Sequence, residues 1–219
     1  MTDLTGASGT MGMLGLHNTD PHSAGSLLDI GGTWTGMNDN LMQSVPGTSP
    51  NQVRVQNDQT LNPPPGSPPA DVFKMFMGAT ANLYVEHPAL RTVTCNGNCA
   101  TALQDAYNAG TRILWVNGPM NLSSNVVIGS ITDPVLIIAN GAISLSGPFV
   151  LNGMLVTTGN LAWQNTGGAT SLINGMVLVV GNMSTQGAMD IVYQQAIANQ
   201  LTNRIGSFVR VPGGWIDYH

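Results

Sequence analysis

The sequence predicts a mainly β fold: a right-handed parallel β-helix, or β-solenoid, of about four rungs with short capping helices. Three observations lead there. Short phrases return at a fixed distance: VLNGM at 150–154 recurs as LINGM at 172–176, and TGNL at 158–161 as VGNM at 180–183, 22 residues on in each case. A period near that length marks stacked structural repeats. Four segments (RILWVNGPMNL, PVLIIANGAISL, GMLVTTGNLAW and GMVLVVGNMST) share an apolar run, a glycine, any residue and a second apolar residue. Their common glycines are Gly118, Gly141, Gly159 and Gly181, and Gly153 and Gly175 close the recurring Asn-Gly pairs. Glycine and asparagine tolerate left-handed backbone, which a coil that turns sharply at every corner requires. One rung cannot bury its own apolar face, whereas stacked rungs share a continuous core. A β-sandwich is the alternative, since short strands with frequent turns also suit it. Like residues at like corners favour the solenoid.

Residues 1–69 form a Gly/Ser/Pro-rich region of strand and loop. SLLDIGGTWTG and NQVRVQ are its strand candidates, and LNPPPGSPPA breaks regular structure as a linker or surface traverse. Residues 70–219 form the solenoid domain, opening with a short helix from Ala70 to Met77 that Gly78 stops. Phe73, Phe76 and Met77 share one face of it. Next comes TCNGNCA, where an Asn-Gly turn brings Cys95 toward Cys99. A disulfide in an oxidising compartment is expected, because a structural zinc site wants four ligands and only His87 lies nearby. ATALQDAYNAG is a second helix, closed by Gly110, with Leu103, Ala106 and Tyr107 as its apolar face. The two helices are expected to cap one open end of the solenoid, and a helix in the C-terminal tail the other. Leu136, Ile138, Leu155 and Val179 are expected to point inward. Trp115 reads as packed and Trp163, beside the inserted QNTGG, as exposed.

Of 219 residues, 42% are hydrophobic and only 8% charged, which excludes a disordered chain. Net charge is −5 with a single lysine, Lys74, so no basic patch exists to neutralise phosphates, and nucleic acid is not an expected partner. There is no apolar run long enough to cross a membrane as a helix. The opening MTDLTGASGTMG reads as a cut within a longer chain, with any targeting segment or anchor upstream. Polysaccharide-cleaving β-helices set carboxylates on neighbouring rungs; here the repeats hold only Asp133 and Asp190, nearly three rungs apart. The NTD at Asn18–Asp20 lacks the partner motifs of a polygalacturonase. No nucleophile elbow, phosphate loop, HExxH or EF-hand series is present, and His17, His22, His87 and His219 are scattered. No catalytic residue, cofactor or metal site is expected.

DVFKMFMG, the close cysteine pair, RILWVNGPMNL, the glycine-rich segments, IVY and the closing IGSFVRVPGGWIDYH together resemble the PilX-like type IV pilus assembly proteins of Gram-negative bacteria, over residues 70–219. The most specific part is the tail, Gly206, Ser207, Phe208, Val209, Arg210, Val211, Pro212, Gly213, Gly214 and Trp215. The resemblance implies a minor-pilin-like head with a pilin-like apolar helix upstream. It further implies anchoring in the inner membrane before assembly, a pilus-associated place in the periplasm or on the cell surface, and pilin or minor-pilin subunits as partners. A secreted carbohydrate-binding or carbohydrate-cleaving β-helix is the alternative.

Overall fold

Apolar runs that serve both faces of a strand belong to parallel sheets covered on both sides, and such runs dominate the second half of this chain. The structure, a computed structural model, describes residues 3–6, 13–20, 27–35, 38–45, 53–123, 125–165 and 167–205. Its strands are β1 (Asp3–Gly6), β2 (Met13–Asn18), β3 (Leu28–Asp29), β4 (Met42–Gln43), β5 (Arg54–Val55), β6 (Leu90–Val93), β7 (Ile113–Asn117), β8 (Met120–Leu122), β9 (Val127–Ile128), β10 (Val135–Asn140), β11 (Ile143–Ser146), β12 (Val150–Thr157), β13 (Leu161–Asn165), β14 (Ser171–Val179) and β15 (Asn182–Tyr193). The helices are α1 (Val72–Met77), α2 (Ala81–Tyr84), α3 (Ala100–Asn108) and α4 (Gln195–Ile205).

The chain is mainly β, and among the described residues every strand pairing is parallel, with 13 strands in one curled sheet and β3 with β5 in a small second one. This is consistent with a solenoid-like fold and unlike the antiparallel pairing of a sandwich. Three series of strands run through the sheet. β6, β7, β10, β12 and β14 make the first, and β8, β11, β13 and the start of β15 the second. In the third, β9, the starts of β12 and β14, the end of β15, β2 and β4 follow one another. The spacing of 22 read in the sequence is the pairing register itself. Val150 lies opposite Leu172, Asn152 opposite Asn174, Gly153 opposite Gly175 and Leu161 opposite Met183.

Side chains in the first series alternate between two cores. Leu114, Ile137, Leu155 and Val177 align on the inner side, as do Val116, Ala139, Thr157 and Val179. Trp115, Ile138, Val156 and Leu178 align on the outer side, beside Ile113, Leu136 and Met154. Leu155 and Val179 therefore point inward as expected, but Leu136 and Ile138 do not. They enter a second core that α1, α2 and α4 close with Val72, Phe73, Tyr84, Ile197 and Leu201. The helices follow from that division. Asp71 accepts the Lys74 N–H at the start of α1, and Gly78 ends it in the left-handed region. Val72 and Phe73 turn to the sheet, whereas Phe76, expected on the same face as Phe73, is 57% exposed.

Only one of the two helices expected at the sheet's end stands there. α3 plugs the inner core with Ala100, Leu103 and Ala106, while α1 lies on the outer flank. The helix predicted in the tail forms as α4, but it packs across β10, β12 and β14 instead of closing the far end. The N-terminal strands stand at that end: β1 lies along Asn182–Thr185 and β2 along Ala188–Tyr193, with Leu14, Leu16 and Ile30 buried in the inner core.

The corner glycines differ in what they require. Gly153 and Gly175 have φ of 151° and 138°, and a Cβ on either would collide with a carbonyl oxygen of the preceding strand. At Gly141, Gly159 and Gly181 the backbone conformation is ordinary, and the requirement is space: a Cβ would lie within 2.7–2.8 Å of backbone at Gly118, Gly141 and Gly159 respectively. Gly118, with φ of 101°, faces open space. Asparagines bind the levels beside Gly153 and Gly175. Asn152 Nδ2 donates to Gly129 O at 3.1 Å, Asn174 Nδ2 to Asn152 Oδ1 at 2.9 Å, and Gln194 Nε2 to Asn174 Oδ1 at 3.1 Å.

Leu155→Asp should leave the chain unfolded, since an unpaired buried carboxylate costs several kcal/mol, comparable to a domain's stability of about 5–15 kcal/mol. Gly153→Ala should cost more than ~2 kcal/mol in urea denaturation, combining a strained φ with a backbone collision. A near-neutral Gly153→Ala would contradict the register between β10 and β12.

Candidate docking groove

β14 is longer than its partner on one side. It pairs with β15 only from Ser171 to Asn174, whereas it pairs with β12 from Leu172 to Val179. The cause lies in the chain path: β15 ends at Tyr193 and α4 begins at Gln195, so the backbone leaves the sheet before it can run along Gly175–Val179. Among the described residues no strand occupies that edge. A groove of about 500 Å³ opens beside it. Met176, Val177 and Leu178 form one wall, Leu28 and Leu61 another, and Phe76 stands at the mouth. Met75 and Leu83, 53% and 60% exposed, extend apolar surface over the neighbouring helices.

Polar groups sit at the rim. His17 Nε2 lies 3.5 Å from Asp190 Oδ1, and His17 Nδ1 3.2 Å from Gln43 Oε1. Asp29 lines the groove and shares a hydrogen bond with Asp58. Burial first, then the charge of Asp58 and that hydrogen bond, push the Asp29 carboxyl above its ordinary 3.8. The Thr60 hydroxyl and N–H hold Asp58 below the same value. Carboxylates do meet, then, but in the N-terminal region, through the β3–β5 pairing and the turn after it; a search confined to the repeats misses them.

The other singled-out residues have structural places. Cys95 and Cys99 form a disulfide, with Cα atoms 4.9 Å apart. It fastens the loop in which Asn98 pairs with Asn121 and Cys99 N–H donates to Asn121 O at 2.7 Å, just where α3 begins. Asp133 is a clamp. Arg112 holds both its oxygens, lies 4.2 Å over the Tyr107 ring, and leaves Arg204 of α4 3.4 Å away. The Arg112 hydrogen bond pulls the Asp133 carboxyl below 3.8. Trp163, expected at the surface, is fully buried against Phe149 at 5.5 Å between centroids, with Leu145 and Thr185 as its neighbours in adjacent strands. Trp115 is packed as expected, in the outer core. His87 stacks on Tyr84 and accepts the Ala89 N–H. Gly206, Ser207, Phe208, Arg210, Val211, Pro212, Gly213 and Trp215, with His22 and His219, lie outside the described residues.

No protein-family model, curated protein or solved structure matches this chain.

Two titrations of opposite sign follow. Asp29 binds its proton more tightly folded than unfolded, so its contribution is full below 3.8 and is lost as pH rises through its raised value. Asp133 does the reverse: its contribution is full above 3.8 and is lost as pH falls through its lowered value. Urea titrations across pH 3–7 should therefore show Asp29→Asn removing the loss on the alkaline side and Asp133→Asn the loss on the acid side. Unchanged profiles would contradict these two pairings. Opening the disulfide with reductant should cost less than ~3 kcal/mol, because the closed loop is short. Two alkylatable thiols in unreduced protein would contradict the bond.

Proposed function

We propose that this chain is a non-enzymatic structural and interaction component of type IV pilus assembly, a minor-pilin-like head that works by contact. On this reading the curled sheet is a right-handed parallel β-helix of about four rungs, its partners are pilin and minor-pilin subunits, and it acts in the periplasm or at the cell surface. The resemblance of residues 70–219, tail included, supports the choice of pilus. The observation that carries a contact role is the groove: a mainly apolar cleft along one edge of β14 that no described strand covers, with the exposed Phe76 and few charged groups in its lining. Exposed apolar surface bordered by polar groups is characteristic of protein-docking sites.

The carbohydrate reading keeps one observation in its favour, the hydrogen-bonded Asp29 and Asp58 beside the groove. Two features weigh against it. The groove walls are mainly apolar, and Trp163, expected at the surface, is buried and presents no face on which a sugar could stack.

Deleting the gene should reduce surface pili or pilus-dependent motility, and re-expression of the protein should restore them. Normal piliation in the deletion strain, or turnover of a polysaccharide abolished by Asp29→Asn, would overturn the assignment and favour the carbohydrate reading.

A further inference from the structure

The direction of the backbone groups along the open edge can be read from its ends. Leu172 N–H donates to Phe149 O at 2.8 Å and Val180 N–H to Thr157 O at 3.0 Å. Even-numbered residues of β14 thus turn their N–H and C=O toward β12, and in a parallel ladder the intervening residues turn theirs the other way. Gly175, Val177 and Val179 therefore present donors and acceptors to the groove, where no described strand meets them. Unpaired edge groups of this kind are a template for an added strand.

The same end of the sheet already takes strands that are not continuous with it. β1 and β2 come from the start of the chain, yet they lie parallel and in register on the two halves of β15. The first and only the first of the three series lacks such an addition among the described residues. We propose that the Gly175–Val179 edge binds an extended strand of a partner polypeptide, added parallel to β14 and completing the first series as β1 and β2 complete the other two. The groove defines that strand's chemistry. A residue over Val177 or Val179 faces the inner core, and one over Met176 or Leu178 faces the outer core beside Phe76. The bound segment is therefore about five residues long, uncharged and apolar on both faces. The proposal rests on the contact role above and gives it a partner class.

The probe is a synthetic peptide copying residues 153–158, GMLVTT, with two lysines at each end for solubility. This segment belongs to β12, which already lies parallel to β14 with Met154 opposite Met176. Amide hydrogen exchange is followed by NMR on the full chain. With peptide, the Val177 and Val179 amides should slow by about tenfold or more, while Met176 and Leu178, already bonded to β12, stay unchanged. Val177→Pro removes an outward donor and should abolish the effect. Phe76→Ser, at an exposed site that leaves folding intact, should weaken peptide binding by about fivefold. Absence of protection at Val177 and Val179 under saturating peptide would overturn the proposal. So would equal protection by a scrambled peptide, or protection of the same amides in a peptide-free dimer, which assigns the edge to a second copy. These outcomes are read on purified protein and do not depend on piliation, so the pilus reading can fail or stand separately.

Discussion

Close in-register stacking of parallel strands is the constraint from which the rest of this structure follows. Each strand lies on one that holds a similar residue, so aliphatic side chains fall over aliphatic side chains and the backbone must turn at the same places each time. At those turns successive segments come within contact distance of one another. Gly141, Gly159 and Gly181 have no room for a Cβ, and Gly153 and Gly175 lack both room and an ordinary backbone conformation. Polar groups left inside by the turns are paired locally: Thr157 donates to Gly141 O, Ser171 to Gly147 O at 2.8 Å, and Asn165 to Ala169 O at 2.7 Å. Such pairing lets a sheet bend within a dry core while the polar groups at its turns stay bonded.

Stacking also explains why the chain needs both flanking helices and a borrowed end. Parallel strands carry apolar residues on both faces, so the outer face of the first series would be exposed without α1, α2 and α4. The inner core has two openings. α3, fastened behind the disulfide, fills one; β1, β2 and the residues around Ile30 fill the other. The Arg112–Asp133 clamp joins these systems, since it touches the end of α3, the entries to β7 and β10, and Arg204 of α4. Among the described residues stacking also leaves the β14 edge from Gly175 to Val179 without a strand, and the groove lies there.

Much of this was legible in the sequence because registers are local and repetitive. The 22-residue recurrence became the pairing of Val150 with Leu172 and of Leu161 with Met183. Cys95 and Cys99, α1 and α3 were readable from turn and capping residues. Facing was not. Leu136 and Leu155 both sit in uninterrupted apolar runs, and nothing short of the strand register distinguishes an inner position from an outer one. Trp163 misled because the polar QNTGG beside it reads as surface, while its own position is set by the strand alternation that also buries Leu145. The groove was invisible for a different reason. Its walls come from β2, β3, α1 and β14, segments far apart in sequence, and β2 lies on β15, a strand more than a hundred residues away. The Asp29–Asp58 pairing escaped because it lies outside the repeats, where the two-residue strands β3 and β5 carry no periodic signal.

The central claim is that one ordered parallel stack runs from β6 to β4, closed by N-terminal strands in its third series and, among the described residues, open along Gly175–Val179 in its first. Inter-strand backbone NOEs measured on the isotope-labelled chain address that claim directly. The account predicts contacts from Ile191 to both Ile173 and Leu16, and from Val177 to Leu155 on one side with no strand on the other. Antiparallel Hα–Hα contacts among these strands, or a strand of the free chain lying along the outer edge of Val177, would contradict it.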